Sequence, residues 1–390
     1  MTLPLAGIRI LDLSRALPGP FGTQILADYG AEIIKIEDPS GDPVRNAEPH
    51  VAGDSARFLA VNRNKRSLTL DLRKAEGRAI FKKLAEGSDV IVDGFRPGTM
   101  DRLGLGYEIL KEVNQRIIYC ALNGFGNTGP LRDTPAHDIN ITSLAGITDL
   151  TGRSDDPPAM STVQIAGISG ALYSVIAILI ALNHRNNTGI GQFCDIAMLD
   201  GSISLLAYTM AEWSGIGSTL QRGRGLLTGR YAYFNIYETS DKRYISLGAS
   251  EMKYWKKFCS VIGKAEYIDL HKRLDRQEEM IRGIQSIIKQ KSQQKWMQIF
   301  DTDMCCAPVL NLKEVSEHPQ IQNREMIIRL KNFKGSDQDM VLTGLPIKLS
   351  ESPGQLKFKF PGLGEHSRQI LEEAGFTCDE IQLFIDKEII

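Results

Sequence analysis

A turn that could cradle phosphate is the first chemistry to seek, and Ser14-Arg15-Ala16-Leu17-Pro18-Gly19-Pro20 stands where one would lie, between a strand pattern and a helical one. A dinucleotide site would need GxGxxG there, to let backbone approach a pyrophosphate, with an acid about 20 residues onward. Glu37 has the acid's spacing, but the glycines are absent, which argues against NAD. Arg96 and Arg102 flank Pro97-Gly98, a turn after a strand pattern. Arginine's planar, permanently charged fork suits phosphate, and a solvated surface charge is the competing reading. Asp155-Asp156 resembles a catalytic carboxylate pair, yet Ser-Asp-Asp-Pro-Pro is turn chemistry. Asp195 and Asp200 read as structural hydrogen-bonding groups. Cysteines at 120, 194, 259, 305, 306 and 378 form no CxxC pair, and no histidine stands at zinc-ligand spacing. They read as reduced and structural, and no metal site is expected.

Elements able to position such residues follow from periodicity. Strand patterns at Ile8 to Leu13 and Glu32 to Glu37 enclose a helical stretch from Phe21 to Tyr29, a βαβ unit. The pattern recurs with Ser67 to Leu72, a helix over Ala75 to Gly87 presenting Ile80, Phe81 and Leu84, and Val90 to Val92; Ile117 to Leu122 adds a strand. This implies an α/β class with a large, Rossmann-like parallel sheet. A Gly-rich run through Gly215, Gly217, Gly223 and Gly225 changes the texture, and Tyr231 to Leu247 resembles a two-stranded β element around Ser240-Asp241. The expected organisation is a large α/β domain over 1–205, a linker over 206–228, a smaller α+β domain over 229–325, and a return to the large domain over 326–390.

With 390 residues and 42% hydrophobic content the chain can bury two moderate cores. Its 46 basic and 47 acidic side chains create no field favouring nucleic acid or an anionic membrane. Residues Met1 to Gly7 lack the basic start and apolar run of a signal peptide, so a cytoplasmic location is expected. Ala171 to Leu182, the most apolar stretch, reads as a buried helix of about a dozen residues, short of the roughly 20 a bilayer needs.

Several phrases together resemble the type III CoA-transferase (CaiB/BaiF) family: Leu26-Ala27-Asp28-Tyr29-Gly30-Ala31 with Ile34-Lys35-Ile36-Glu37, Asn64-Lys65-Arg66-Ser67, Phe95-Arg96-Pro97-Gly98, Thr188-Gly189-Ile190-Gly191-Gln192 and Gly364-Glu365-His366-Ser367. The resemblance implies a large domain built from both chain ends, a smaller inserted domain, and two subunits interlocked as a homodimer. It implies an acyl-CoA thioester as substrate with no tightly bound cofactor, and CoA ligands near Arg15, Ala16, Leu70, Arg73, Arg96 and Arg102.

Within the family, Leu17-Pro18-Gly19-Pro20, Ala136-His137-Asp138-Ile139-Asn140 and Gly248-Ala249-Ser250-Glu251 resemble the 2-methylacyl-CoA racemase branch. By that resemblance His137 is a catalytic base, Asp138 belongs to the same catalytic segment, and Glu251 assists His137 across the dimer interface. Racemisation removes the proton next to a thioester and returns it on the other face, so it needs two bases. Histidine can accept and donate near neutrality. The second position is the departure: Gly167 stands where the family has Asp, and no Asp or Glu occurs between Asp156 and Asp195. Backbone N–H groups of the Gly167 to Gly170 turn are the expected donors to an enolate oxygen. Three readings stay open: an impaired racemase or CoA-transferase, a non-catalytic subunit beside an active paralogue in a hetero-oligomer, or another proton transfer by His137 alone. The acyl group is not legible, and Gly225 to Tyr233 is the expected part of its pocket.

Overall fold

Short apolar runs separated by helix-length crossovers pair as parallel strands covered on both faces. The computed structural model describes residues 2–300 and 303–390. The chain divides into two compact units: one from the described parts of 1–145, 162–207 and 320–390, the other from 146–161 and 208–319.

The first unit holds β1 (Arg9–Asp12), β2 (Glu32–Glu37), β3 (Lys65–Thr69), β4 (Val90–Asp93), β5 (Ile118–Asn123) and β6 (Phe193–Ala197), all parallel, in the order 3-2-1-4-5-6. This is the dinucleotide-binding order, in which ligands lie beyond the strand carboxyl ends where the order reverses, between β1 and β4. Strand β6 was not anticipated, because Cys194 and Asp195 break the apolar run of an edge strand whose Phe193 and Asp195 are exposed. Helices α1 (Pro18–Asp28) and α2 (Ala75–Glu86) return the chain between strands.

The expected dozen-residue apolar helix is longer. As α4 it spans Ile165–Thr188, 24 residues, with α3 (Asp138–Leu144) preceding it. By length and hydropathy alone α4 could cross a bilayer. One face instead buries Val175, Ile178, Ala181 and Leu182 with Ile10, Val92 and Ile118 of the sheet. The helix escaped full detection because Gly167, Ser169 and Gly170 dilute the apolar signal of its first two turns.

Charged residues from β1, β2 and β3 enter the interior as a paired cluster. Lys65 Nζ, fully buried, donates to Asp12 (3.1 Å), the Pro20 carbonyl (2.9 Å), Thr23 Oγ1 (2.8 Å) and Asn62 Oδ1 (3.0 Å). Burial pulls its pKa down to about 8 although the Asp12 carboxylate opposes the shift. Lys35 bridges the Ser14 carbonyl (3.0 Å) and Asp42 (2.9 Å), and Asp42 accepts the Ala16 N–H at 3.3 Å. The cluster therefore clamps the β1–α1 turn from below. Removing one partner of a buried pair strands the other charge, so Lys65→Met should lower unfolding free energy by about 3–5 kcal/mol in urea titration. A loss below about 1 kcal/mol would show that the clamp contributes little.

The C-terminal return docks on β3. His366 Nδ1 accepts the Ser67 N–H at 3.3 Å, and the Gly364 N–H donates to Ser67 Oγ at 2.9 Å, which gives the Gly-Glu-His-Ser phrase a structural role.

The second unit contains the antiparallel sheet β9-β8-β7, with β7 (Phe234–Glu238) and β8 (Tyr244–Gly248) forming a hairpin across the expected Ser240-Asp241 turn and β9 (Cys306–Pro308) beside β8. Its core packs Tyr237, Ile245 and Leu247 against Trp255, Phe258, Met280, Ile284 and Trp296. Residues Ala207–Ile216, inside the span expected as a linker, form helix α5, and 146–161 cluster with this unit. The glycines that suggested a linker lie mostly after that helix.

Candidate functional site

Three turns converge beyond the carboxyl ends of β1, β4 and β5. A cavity of about 520 Å³ there is lined by Ser14, Arg15 and Pro18 from the first turn, Gly94 to Pro97 from the second and Leu122 to Phe125 from the third, with Arg132, Ala136, His137 and Asn140 closing it. It occupies the topological switch point.

The first turn is close-packed. A Cβ on Gly19 would fall 2.1 Å from the Ser14 side chain, so only glycine fits. The Arg15 guanidinium lies 5.1 Å from the Phe95 ring centroid, linking the first two turns by a cation–π contact.

The second turn hangs on Asp93. Its carboxylate accepts the Phe95 N–H and the Tyr119 hydroxyl, each at 2.8 Å. Burial pushes its pKa up to about 6, against those hydrogen bonds. Below pH about 4 Asp93 is protonated in folded and unfolded chains alike; as pH climbs through about 6, the folded chain must ionise a buried carboxyl, and stability present at low pH is lost. Asp93→Asn should therefore gain relative to wild type between pH about 4 and 7, by up to about 3 kcal/mol, in parallel denaturant melts. A constant difference across that range would refute the assignment.

Of the expected CoA-binding residues, Arg15 and Arg96 line the cavity, exposed and without an ion-pair partner among the described residues. Ala16, at φ 61°, is held by Asp42. Arg102 lies near the cavity's edge: a Cβ on Gly98 would sit 3.4 Å from its guanidinium and 3.3 Å from that of Arg132. The Leu70 side chain is buried in the core, leaving only its backbone for a ligand. Arg73 is turned to Asp71 (2.8 Å) and Asp38 (3.8 Å). Arg132 carries no sequence signal because it sits in an irregular loop among Gly, Pro and Thr, outside any periodic element and outside the family phrases.

Among the expected catalytic residues, His137 is exposed at the cavity wall, and its backbone N–H donates to Asn140 Oδ1 at 3.0 Å. Asp138 points elsewhere, accepting the Gly167 N–H at 2.9 Å. Gly167 is buried in the first turn of α4, where a Cβ would stand 3.5 Å from Pro18 Cγ, 3.6 Å from Leu17 Cδ2 and 3.8 Å from Asp138 Oδ1. Those are ordinary contacts, so packing does not demand glycine. The Gly167 N–H, expected to face an enolate oxygen, is occupied by Asp138, and the Ile168 N–H by the Gln164 carbonyl at 2.8 Å. Glu251 lies in the second unit, exposed, immediately before helix Met252–Val261, with its carboxylate 3.2 Å from Ser250 Oγ.

The second unit has a separate cavity of about 1020 Å³, lined in part by Arg153, Arg224, Thr228, Gly229 and Arg230. Three of these fall in the Gly225 to Tyr233 stretch expected to meet an acyl group. No histidine lines the larger volume, whereas His137 lines the smaller one.

A switch-point cavity lined by arginines and a histidine, in a parallel α/β sheet, is suited to an anionic ligand. Residues 5–367 match the model of CoA-transferase family III. The chain is 35% identical to an acyl-CoA transferase from Fusarium pseudograminearum, over 99% of this chain and 88% of that one. It is 33% identical to the human alpha-methylacyl-CoA racemase, over 99% of this chain and 98% of that one. A crystal structure of a CaiB/BaiF family protein from Brucella suis superposes with a TM-score of 0.84 at 31% identity, covering 96% of this chain and all of that one. The chain belongs to CoA-transferase family III, whose members act on CoA thioesters.

Proposed function

We propose that this chain removes and returns the proton next to the carbonyl of a 2-methylacyl-CoA, slowly, because Gly167 leaves one face of the substrate without the usual carboxylate. The observation that carries this reading is His137 sharing one switch-point cavity with Arg15, Arg96 and Arg132. Arginines offer bidentate charge to the CoA phosphates, while an exposed imidazole can take or give a proton at the thioester end. The likeness to the human racemase supports it.

The test is to incubate the protein with one enantiomer of a 2-methylacyl-CoA in D₂O and follow the α-proton by NMR. Loss of the α-proton signal, with slow appearance of the other enantiomer, is expected; no exchange over several days sinks the reading.

CoA transfer between carboxylic acids is the second reading, supported by the likeness to the fungal transferase. It requires CoA to move from one acid to another in a mixed incubation. The third, a non-catalytic subunit, requires activity only with an added paralogue.

We infer also that the protein acts as an interlocked homodimer in the cytoplasm. The outer face of α4 exposes Leu172, Tyr173, Ile176, Leu179 and Ile180, an i, i+1, i+4, i+7, i+8 apolar stripe that supports association there.

A further inference from the structure

A carboxylate stands beside the position where the family's is missing. Asp138 begins α3, its Oδ1 accepts the Gly167 N–H at 2.9 Å, and that oxygen lies 3.8 Å from where a Cβ on Gly167 would be. It is thus within a side chain's length of the carboxylate that an aspartate at 167 would carry. The same Cβ position is 3.5 Å from Pro18, which lines the cavity, so the corner that Asp138 shares with Gly167 adjoins that space. His137, one residue earlier, lines the cavity itself. Neighbours in sequence are therefore aimed at different surroundings, as two bases serving two faces of one carbon must be.

We propose that Asp138 is a catalytic residue in this chain, replacing in space the carboxylate lost in sequence at 167. The inference rests on the α-proton reading given above. An oxygen of Asp138 takes the proton from the α-carbon. The C–H electron pair becomes the enolate double bond, and the carbonyl π pair moves to the thioester oxygen. The His137 imidazolium then gives a proton to the other face, the thioester carbonyl re-forms, and both side chains recover their protonation by exchange with water. The carboxylate is borrowed from a neighbouring helix, so its placement is less direct than that of a side chain at 167, and slow turnover follows.

A helix-capping role would explain the 2.9 Å bond without any chemistry. The experiment must separate the two, and Asp138→Asn does so because asparagine keeps an oxygen for the Gly167 N–H. Exchange in D₂O is measured for wild type, Asp138→Asn, Gly167→Asp and the double variant, each with a thermal melt. The expected result is a loss of about 100-fold or more on Asp138→Asn in the wild-type background, and less than about 10-fold where Gly167→Asp supplies its own carboxylate. Melting temperatures within a few degrees of each parent show that the cap survives. Equal losses in both backgrounds, or a large fall in melting temperature accompanying the loss, assign Asp138 a structural role and overturn the proposal. Exchange that persists unchanged in Asp138→Asn overturns it too, while leaving the α-proton reading intact. No exchange in wild type removes that reading, and the inference with it.

Discussion

Gly167→Asp should accelerate α-proton exchange by about 10²–10⁴-fold, the range that one positioned acid or base contributes to proton transfer. Room for the substitution exists, since the new Cβ would meet Pro18, Leu17 and Asp138 no closer than 3.5 Å. The backbone allows it as well: residue 167 lies in a regular helical turn, not in the left-handed region that only glycine enters freely. Replacing a buried helical glycine also removes unfolded-chain freedom worth roughly 0.5–1 kcal/mol, which offsets part of the cost of burying a carboxylate. The new group would share its corner with Asp138. The measurement is initial-rate exchange in D₂O across pH about 5 to 9. An unchanged rate, in a variant that melts like wild type, would mean that glycine at 167 did not cost this protein its activity.

His137→Ala should lower exchange by about 10²–10⁴-fold with little change in KM for the thioester. The separation follows from the cavity's lining: Arg15 and Arg96, proposed to meet the nucleotide, come from the turns after β1 and β4, whereas His137 comes from the segment after β5. His137 is an exposed N-cap residue, so its truncation should cost no more than about 1 kcal/mol of stability, and the loss will be chemical. Exchange with only one face in play should also lose its coupling to racemisation. Equal rates in wild type and His137→Ala would remove histidine from the reaction and with it the proposed mechanism. A matched rise in KM without a change in kcat would instead make His137 a binding residue.

Much of the scaffold could be read from residue order. The βαβ repeats, the hairpin around Ser240-Asp241 and the absence of a dinucleotide glycine pattern follow from local periodicity and turn chemistry, which act over a few residues. The phrases Asn64-Lys65-Arg66-Ser67 and Gly364-Glu365-His366-Ser367 were legible as signatures but not as functions. Their roles lie in contacts between residues up to about 300 positions apart, Lys65 with Asp12 and His366 with Ser67. Strand β6 and the first turns of α4 were hidden because an edge strand and a small-residue helix start carry weak apolar signals.

The sequence by itself determined the family, the chemistry-bearing residue types and the missing acid at 167, because each is a matter of which side chain stands where in the chain. Only the tertiary structure decided which of them share a space. It brought Arg132 beside Arg15, Arg96 and His137, sent Leu70 into the core, turned Arg73 to Asp71 and put Asp138 against Gly167. The physical reason is that cavities and charge pairs form where loops from distant strands converge. A carboxylate absent from its own position can then be supplied by another segment that folding carries to the same place.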